Sequence, residues 1–373
     1  MKEAKKHAIV IGGGIAGTAT AHSLANRGWR VTLIERHSKL AAEASGNHQG
    51  VLYARLSPKP SELGELTLAC YLYTLRRLPQ LLPQGDDTWR QSGVLQLAFN
   101  EAEVARQQAL LQLGLPEDLL HAVSREQASK LAGVEVLASG LYFPGGGWIF
   151  PPALCEALIK SLNVTVQQHE ITELKHSNEQ WQVWGEGGLL ASTPVVVVAG
   201  AALSNRFAQT AHLPLRSVRG QVSYLSATAA SQRLNTVICG EGFVAPQRAG
   251  LHTVGSSYQD GDIQTDVREQ DHLENLELLQ QLSPRLYQSF NAASVTGRAA
   301  CRCSVPSNLP VVGAVAARFP GLYVNTGHSS RGLVTGLLMG EVLAADIENE
   351  PTPLPQNLLK AISPLRFESI IRN

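Results

Sequence analysis

The sequence predicts a two-domain α/β fold, in which a Rossmann-like parallel-sheet domain is interleaved with a domain built on a mixed, largely antiparallel sheet. Three observations predict it. The stretch "AIVIGGGIAGTATAHSLANRGWRVTLIER" (8–36) runs strand, glycine turn, helix, strand, which is the order of a nucleotide-binding βαβ unit. Two later apolar runs, "VVVVAGA" (195–201) and "GLYVNTGHSSRGL" (321–333), are buried strands that end in glycine turns and so suit the same sheet. Between them, "GQVSYLSA" (220–227) and "LHTVGSSY" (251–258) read as strands of a second, antiparallel sheet.

In the first unit, Gly12, Gly14 and Gly17 hold the G-x-G-x-x-G spacing. The first glycine allows a tight turn, the second lets backbone approach a pyrophosphate, and the third lets helix and sheet pack closely. The helix starting near Ile15 and Ala16 offers unpaired N–H groups and a positive dipole end to phosphates. The second strand ends at Glu35, beside Arg36, 18 residues after Gly17. A carboxylate there accepts from ribose hydroxyls, which suits NAD or FAD and disfavours NADP.

Composition sets bounds on function. The chain has 373 residues, 44% hydrophobic and 17% charged, which is ordinary for a globular protein with a substantial core. Its 31 basic and 31 acidic residues cancel, so no global positive field is available to hold nucleic acid; any such contact must come from local patches. Five cysteines without a C-x-x-C pair predict neither a disulfide framework nor a metal site, and point to the cytoplasm. The lysines before Ala8 resemble a signal peptide, but glycines interrupt the apolar run at once and a buried strand explains it better. No apolar run is long enough to span a membrane.

After the second strand comes "AAEASGNHQGVLYARLSP" (41–58), small, polar and glycine-containing where an NAD domain would start another helix. Such a loop can pass beneath a planar ring. From here the chain resembles the D-amino-acid oxidase superfamily of FAD-dependent amine oxidases. The resemblance implies FAD and places Ser45, Asn47, His48, Gln49 and Gly50 along the flavin. It puts Ile171 on the adenine side and Gly200 at the end of the valine strand. It also brings Gly327, His328, Ser329, Ser330, Arg331, Gly332 and Leu333 to the flavin, where the helix dipole favours negative charge on the ring.

Several blocks narrow the resemblance further: "EASGNHQGVLYARLSP", "GLYFPGGGWIFPPAL", "SVRGQVSYL", "GFVAPQ" with "VGSSY", "RCSVPSNLPVVGAV", "GHSSRGL" and the terminal "LLKAISPLRFESIIRN". Together they resemble the family of FAD-dependent oxidase modules of the tRNA 5-methylaminomethyl-2-thiouridine biosynthesis protein MnmC. That resemblance implies a tRNA substrate carrying 5-carboxymethylaminomethyl-(2-thio)uridine at the wobble position. Oxidation of the glycine-like tail and hydrolysis would leave 5-aminomethyl-(2-thio)uridine and glyoxylate. No strong side-chain base is needed if the amine binds neutral, and none is nominated.

Family members often carry a methyltransferase module ahead of the oxidase. Here the glycine turn begins too early for one, so the expectation is an oxidase without methyltransferase activity, either free-standing or an excised half, with a separate methyltransferase as a partner. Ser307 stands where relatives more often show an acid. The alternative activity is that of a small-molecule glycine- or sarcosine-type amine oxidase, which would keep the same flavin site; the neutral net charge favours it.

The carboxylate of either substrate needs a cation. Arg302, 11 residues before Gly313, matches the spacing of the carboxylate-binding arginine in glycine-oxidase relatives, and a guanidinium pairs bidentately with a carboxylate. Its alternative is a structural ion pair. Arg331 is the second candidate, or stays with the flavin or the RNA. Arg219 is structural or RNA-facing. Arg216, Lys360, Arg366 and Arg372 are the remaining RNA candidates, against a plain solvated surface. Neither Cys301 nor Cys303 falls where relatives attach flavin, so non-covalent FAD is expected. Trp148 either stacks on a ring or fills the core. The expected FAD domain comprises 1–85, 141–216 and 296–373, and the substrate domain 86–140 and 217–295.

Overall fold

A computed structural model of the chain describes residues 6–367 except 86, 161, 292 and 293. Arg372 and the last residues of the terminal block lie outside the described residues.

Strand His7–Ile11 is apolar on both faces and lies mid-sheet, as a doubly covered strand must. It pairs in parallel with Arg30–Glu35 on one side and Val195–Val198 on the other, with Ala8 opposite Val31 and Val195. Val164–Gln168 and Leu322–Thr326 extend the sheet in parallel, and Val311–Ala314 closes one edge antiparallel, giving six strands. Alternate residues serve opposite faces. Ala8 and Val10 meet the helices Ile15–Ala25 and Gly332–Ile347. Ile9 and Ile11 meet Ile171, Trp181 and Val183 of a three-stranded meander, Ile171–Ser177, Gln180–Gly185 and Gly188–Thr193. The two helices cross closely because small residues face each other: Gly336 lies against Ile15, and Gly340 against the backbone of Ala19.

The second sheet has nine strands. Arg216–Ser226 is its spine, antiparallel to Leu251–Gly255 on one side and to Thr296–Ser304 along its whole length on the other. The sheet continues through Phe243–Val244 and Val237–Cys239 to Val94–Leu97, Gly140–Phe143 and His121–Val123. Val237–Cys239 and Val94–Leu97 pair in parallel, so the sheet is mixed. Helix Glu269–Leu282 covers it through Leu276, Leu279 and Leu282. A small third sheet joins Gly50–Leu52, Gly147–Ile149 and Trp89–Arg90.

Gly140–Phe143 and Thr296–Ser304, which the expected boundaries place mostly in the FAD domain, are strands of the nine-stranded sheet. The chain returns to the six-stranded sheet only with Val311–Ala314. The long pairing of Thr296–Ser304 with Arg216–Ser226 is a non-local contact that local pattern does not carry. Trp148 is a core residue, 1% exposed.

Candidate active site

The first glycine turn fits its expected role. Gly12 adopts φ +114°, and a Cβ there would lie 2.5 Å from the carbonyl oxygen of Ala199. Gly17 does not face the ligand cavities; it packs the helix against the turn. The helix begins at Ile15, and its N-cap, Gly14, supplies no side-chain acceptor. Ile15 N–H donates to Ser45 Oγ at 3.1 Å.

A narrow cavity of about 120 Å³ runs over this turn, with Gly12, Gly14, Glu35, Arg36, Ile171 and Gly200 in its walls. Glu35 holds the turn, accepting from Gly13 N–H at 2.7 Å and from His37 N–H at 2.9 Å. Its oxygens keep lone pairs for a ribose. Arg206, which the sequence did not single out, also lines this cavity, paired with Glu170 at 2.8 Å and donating to the carbonyl of Ile171.

A larger cavity of about 390 Å³ continues from it, since both share Gly14, Ala44, Ser45, Ala199 and Ala201. Ile15, Ala16, Asn47, Gln49 and Gly50 line it on the nucleotide side. Gly327, His328, Ser329, Ser330, Gly332 and Leu333 line it at the start of the helix Gly332–Ile347. That helix too lacks a side-chain N-cap, so two helix N-termini with free N–H groups open on one channel. The residues present therefore fit a dinucleotide: backbone donors for phosphates at one end, and a second positive dipole end for an electron-rich ring at the other.

His328 is buried, with Nδ1 2.7 Å from Thr335 Oγ1 and Nε2 2.9 Å from Asn325 Oδ1. Burial pushes its pKa down to about 4, so it is neutral near pH 7 and acts as a polar strut rather than an acid. Asn325 Nδ2 donates to Thr20 Oγ1 at 2.9 Å and to the carbonyl of Ala16 at 3.3 Å, tying the helix Ile15–Ala25 to the turn at His328. Asn325 was not singled out in the sequence, although an amide closing an apolar strand was a signal.

Three of the residues singled out do not line the large cavity. The His48 side chain is turned out of the cavity: its Nε2 lies 2.8 Å from the carbonyl of Arg248 and its Nδ1 3.0 Å from the Arg248 guanidinium, which itself sits 3.6 Å over the ring of Phe150. Its neighbour Gln49 faces the cavity because alternate residues of an extended loop point opposite ways. Gln49 is pinned by Pro246 and Thr253 across the domains, at 2.8 and 2.9 Å. Arg331 does not line the cavity either, although its neighbours Ser330 and Gly332 do. Arg219 takes the structural alternative: it is 0% exposed and bonded at 2.5 Å to Asp271 of the helix Glu269–Leu282 that covers the nine-stranded sheet.

Arg302 reaches the cavity. Its Nη2 donates to Ser256 Oγ at 2.8 Å and its Nη1 to the carbonyl of Ser257 at 3.4 Å. Among the described residues no carboxylate pairs with it, and burial lowers its pKa without removing its charge. Gly220 lies beneath the guanidinium, where any Cβ would collide with it. Arg298, missed in the sequence, comes from the same strand. It donates to the carbonyls of Ala42 and Glu43 at 2.5 Å each and to Asn47 Oδ1 at 3.1 Å, clamping the loop along the channel. Of the other RNA candidates, Arg366 is spent on the carbonyls of Leu309, Pro310 and Ala361, with its pKa lowered by burial to about 10. Arg216 is exposed beside Asp260 at 3.5 Å, and Lys360 is exposed. Cys303 lines the large cavity, but its thiol is buried and its pKa raised. Among the described residues no His, Cys, Asp and Glu cluster could hold a metal, and no helix is long and apolar enough to cross a membrane.

Comparison with known proteins agrees with this geometry. Residues 7–346 match the family described as FAD dependent oxidoreductase, DAO. The chain is 44% identical to the tRNA 5-methylaminomethyl-2-thiouridine biosynthesis bifunctional protein MnmC of Pseudomonas syringae pv. tomato, and 46% identical to that of Pseudomonas fluorescens strain Pf-5. Each match covers 97% of this chain, and the chain spans 59% of the length of those relatives. Among solved structures, glycine oxidase from Geobacillus kaustophilus superposes with a TM-score of 0.82 at 22% identity, covering 95% of this chain and 97% of that one. Amadoriase I from Aspergillus fumigatus superposes with a TM-score of 0.75 at 14% identity, covering 100% and 92%. These two show the shared fold. The chain is an FAD-dependent oxidoreductase and belongs to the DAO family.

Proposed function

We propose that this chain removes the carboxymethyl group from 5-carboxymethylaminomethyl-(2-thio)uridine at the tRNA wobble position, giving 5-aminomethyl-(2-thio)uridine and glyoxylate. The observation that carries the reading is Arg302, a guanidinium on the cavity wall with no carboxylate partner among the described residues. Similarity to MnmC proteins, named for biosynthesis of a modified tRNA uridine, supports this choice of amine.

The chemistry that FAD supplies when bound is two-electron oxidation at the C–N bond of the amine. The residues of this chain do the rest. Arg302 takes the glycine-like carboxylate in a bidentate pair and so fixes the methylene within the cavity. Ser256 and the carbonyl of Ser257 hold the guanidinium plane, so little reorganisation accompanies binding. His328 stays neutral and orients the polar start of the helix Gly332–Ile347. Water adds to the oxidised carbon, and the C–N bond breaks to release glyoxylate and the primary amine. We read the FAD as non-covalent, since both thiols on the large cavity's wall, Cys239 and Cys303, are held protonated by burial. A methyltransferase acting on the product, whether joined to this chain or separate, completes the reading.

The test is direct. Purified protein is incubated with tRNA bearing the carboxymethylaminomethyl group, glyoxylate is assayed, and nucleosides are analysed by mass spectrometry. Conversion to the aminomethyl nucleoside supports the reading. Turnover of glycine or sarcosine with equal efficiency, and none on tRNA, replaces it with the small-amine oxidase.

A further inference from the structure

Arg302 does not stand alone on its face of the nine-stranded sheet. It lies directly opposite Val218 on the strand Arg216–Ser226, and alternate residues of that strand share its face. Along this row Val222 is on the wall of the large cavity, Gly220 lies beneath the Arg302 guanidinium, and Arg216 is exposed beside Asp260 at 3.5 Å. The face therefore runs from the cavity, past the guanidinium, into solvent. Arg219 and Gln221 point the other way, towards Asp271 and Arg268 at the start of the helix Glu269–Leu282.

The next strand brings an aromatic residue to this boundary. Gly255 stands opposite Val222 and Gln259 opposite Arg219, so three residues, Ser256, Ser257 and Tyr258, face two, Gly220 and Gln221, and the segment bulges. The bulge is held in place: Gln221 N–H donates to Ser257 Oγ at 3.0 Å, and Ser257 N–H donates to the carbonyl of Gln221 at 3.1 Å. Ser256 Oγ and the carbonyl of Ser257 accept from Arg302, at 2.8 and 3.4 Å. Gln259 turns its side chain to Arg219 and Asp271, on the helix side. Tyr258, the residue before it, therefore leaves on the opposite face, the one that carries Arg302. It is 65% exposed, and among the described residues its side chain makes no hydrogen bond or ring contact.

A single exposed aromatic residue is ordinary by itself. The position of this one is not, because the proposed substrate is short. Two methylenes and one nitrogen separate the uracil ring from the carboxyl carbon, so a carboxylate seated on Arg302 keeps the ring close to that guanidinium. Tyr258 follows the residue whose carbonyl holds the same guanidinium, on the face that leads outward. We propose that the Tyr258 ring is the platform on which the uracil bearing the amine tail stacks while the tail carboxylate sits on Arg302. This rests on the tRNA reading given above. Bases of single-stranded RNA loops stack on aromatic side chains in this way, and a tyrosine keeps its hydroxyl in water while offering its face. Glycine and sarcosine have no ring to stack, so Arg302 reads the carboxylate and Tyr258 selects for the nucleoside that carries it.

The experiment uses the full chain with FAD bound, tRNA bearing the carboxymethylaminomethyl group as substrate, and sarcosine as a ligand without a base. Tyr258→Leu should lower kcat/KM on the tRNA by about 5- to 150-fold, the range for losing one base–aromatic stack. Tyr258→Phe and Tyr258→Trp should retain it, because both keep an aromatic face. The affinity of sarcosine, titrated through the flavin spectrum without oxygen, should be the same in wild type and Tyr258→Leu. Equal losses on tRNA and sarcosine would make Tyr258 a support for Arg302 and overturn the platform. Undiminished turnover of tRNA by Tyr258→Leu overturns it too, and leaves the tRNA reading intact. Wild-type protein that does not turn over the tRNA overturns both. Where sarcosine gives no spectral change, Tyr258→Phe decides: a loss as deep as in Tyr258→Leu overturns the stack, and retention supports it.

Discussion

Arg298 and Arg302 stand four residues apart on the strand Thr296–Ser304, so their side chains leave the same face of the sheet. Arg298 grips the loop that runs along the channel, through Ala42, Glu43 and Asn47. Arg302 faces the cavity and is held by Ser256. One strand of the nine-stranded sheet thus sets both the loop that borders the channel and the guanidinium on the cavity wall.

Arg302→Ala should lower kcat/KM for a carboxymethylamino substrate by about a hundredfold or more, the range for removing one partner of an enclosed charge pair. FAD should remain bound, and Arg302→Lys should recover only part of the rate, because a point charge does not reproduce the fork. Gly220→Ala should mimic the defect, since its Cβ displaces the guanidinium. Steady-state kinetics together with flavin absorbance check this; unchanged kinetics in Arg302→Ala would move the carboxylate elsewhere.

Arg298→Ala should act on the cofactor. Loss of charge-assisted hydrogen bonds to the loop 42–47 costs about 1.5–3 kcal/mol, or about a 10- to 100-fold weaker FAD affinity. Flavin retained after gel filtration is the measurement, and full retention at low protein concentration would make the clamp dispensable.

Denaturation of the purified protein should release FAD into the supernatant. The buried, protonated thiol of Cys303 is a poor nucleophile for attachment. Flavin that stays with the precipitate contradicts non-covalent binding.

His328 makes stability depend on pH. Its folded pKa, about 4, is below the unfolded value of about 6.5, so the unfolded chain binds the extra proton between these values. Its contribution is fully present above about pH 6.5 and is lost as pH falls towards 4, on the order of 3 kcal/mol in total. Urea unfolding at pH 7, 5.5 and 4.5 should show a shallower decline in His328→Asn than in wild type. Parallel declines would remove His328 as the cause.

Arg219→Met should destabilise the fold by about 3–5 kcal/mol, because it leaves Asp271 charged and buried. The salt dependence of tRNA binding by the folded variant should not change. A changed salt slope with unaltered stability would restore Arg219 to the RNA surface.

The sequence by itself determined the nucleotide domain. Gly12, Gly14, Gly17 and Glu35 are read at fixed spacing within one βαβ unit, where every requirement is local: a turn with positive φ, a helix N-terminus and a strand end. The segment at Gly327–Leu333 was legible for the same reason, as a glycine turn before a helix, whereas Arg302 was singled out only by a spacing shared with relatives. Tertiary structure decided the direction of side chains and the roles of arginines. Gln49 faces the cavity and His48 does not, an alternation along an extended loop that depends on where Pro246, Thr253 and Arg248 stand some 200 residues later. Arg219 became a buried ion pair and Arg298 a clamp only because the strands Arg216–Ser226 and Thr296–Ser304 pair along their length. Charge, burial and partner of a guanidinium are properties of neighbours brought together from distant parts of the chain. Composition and spacing give its position, and packing gives its function.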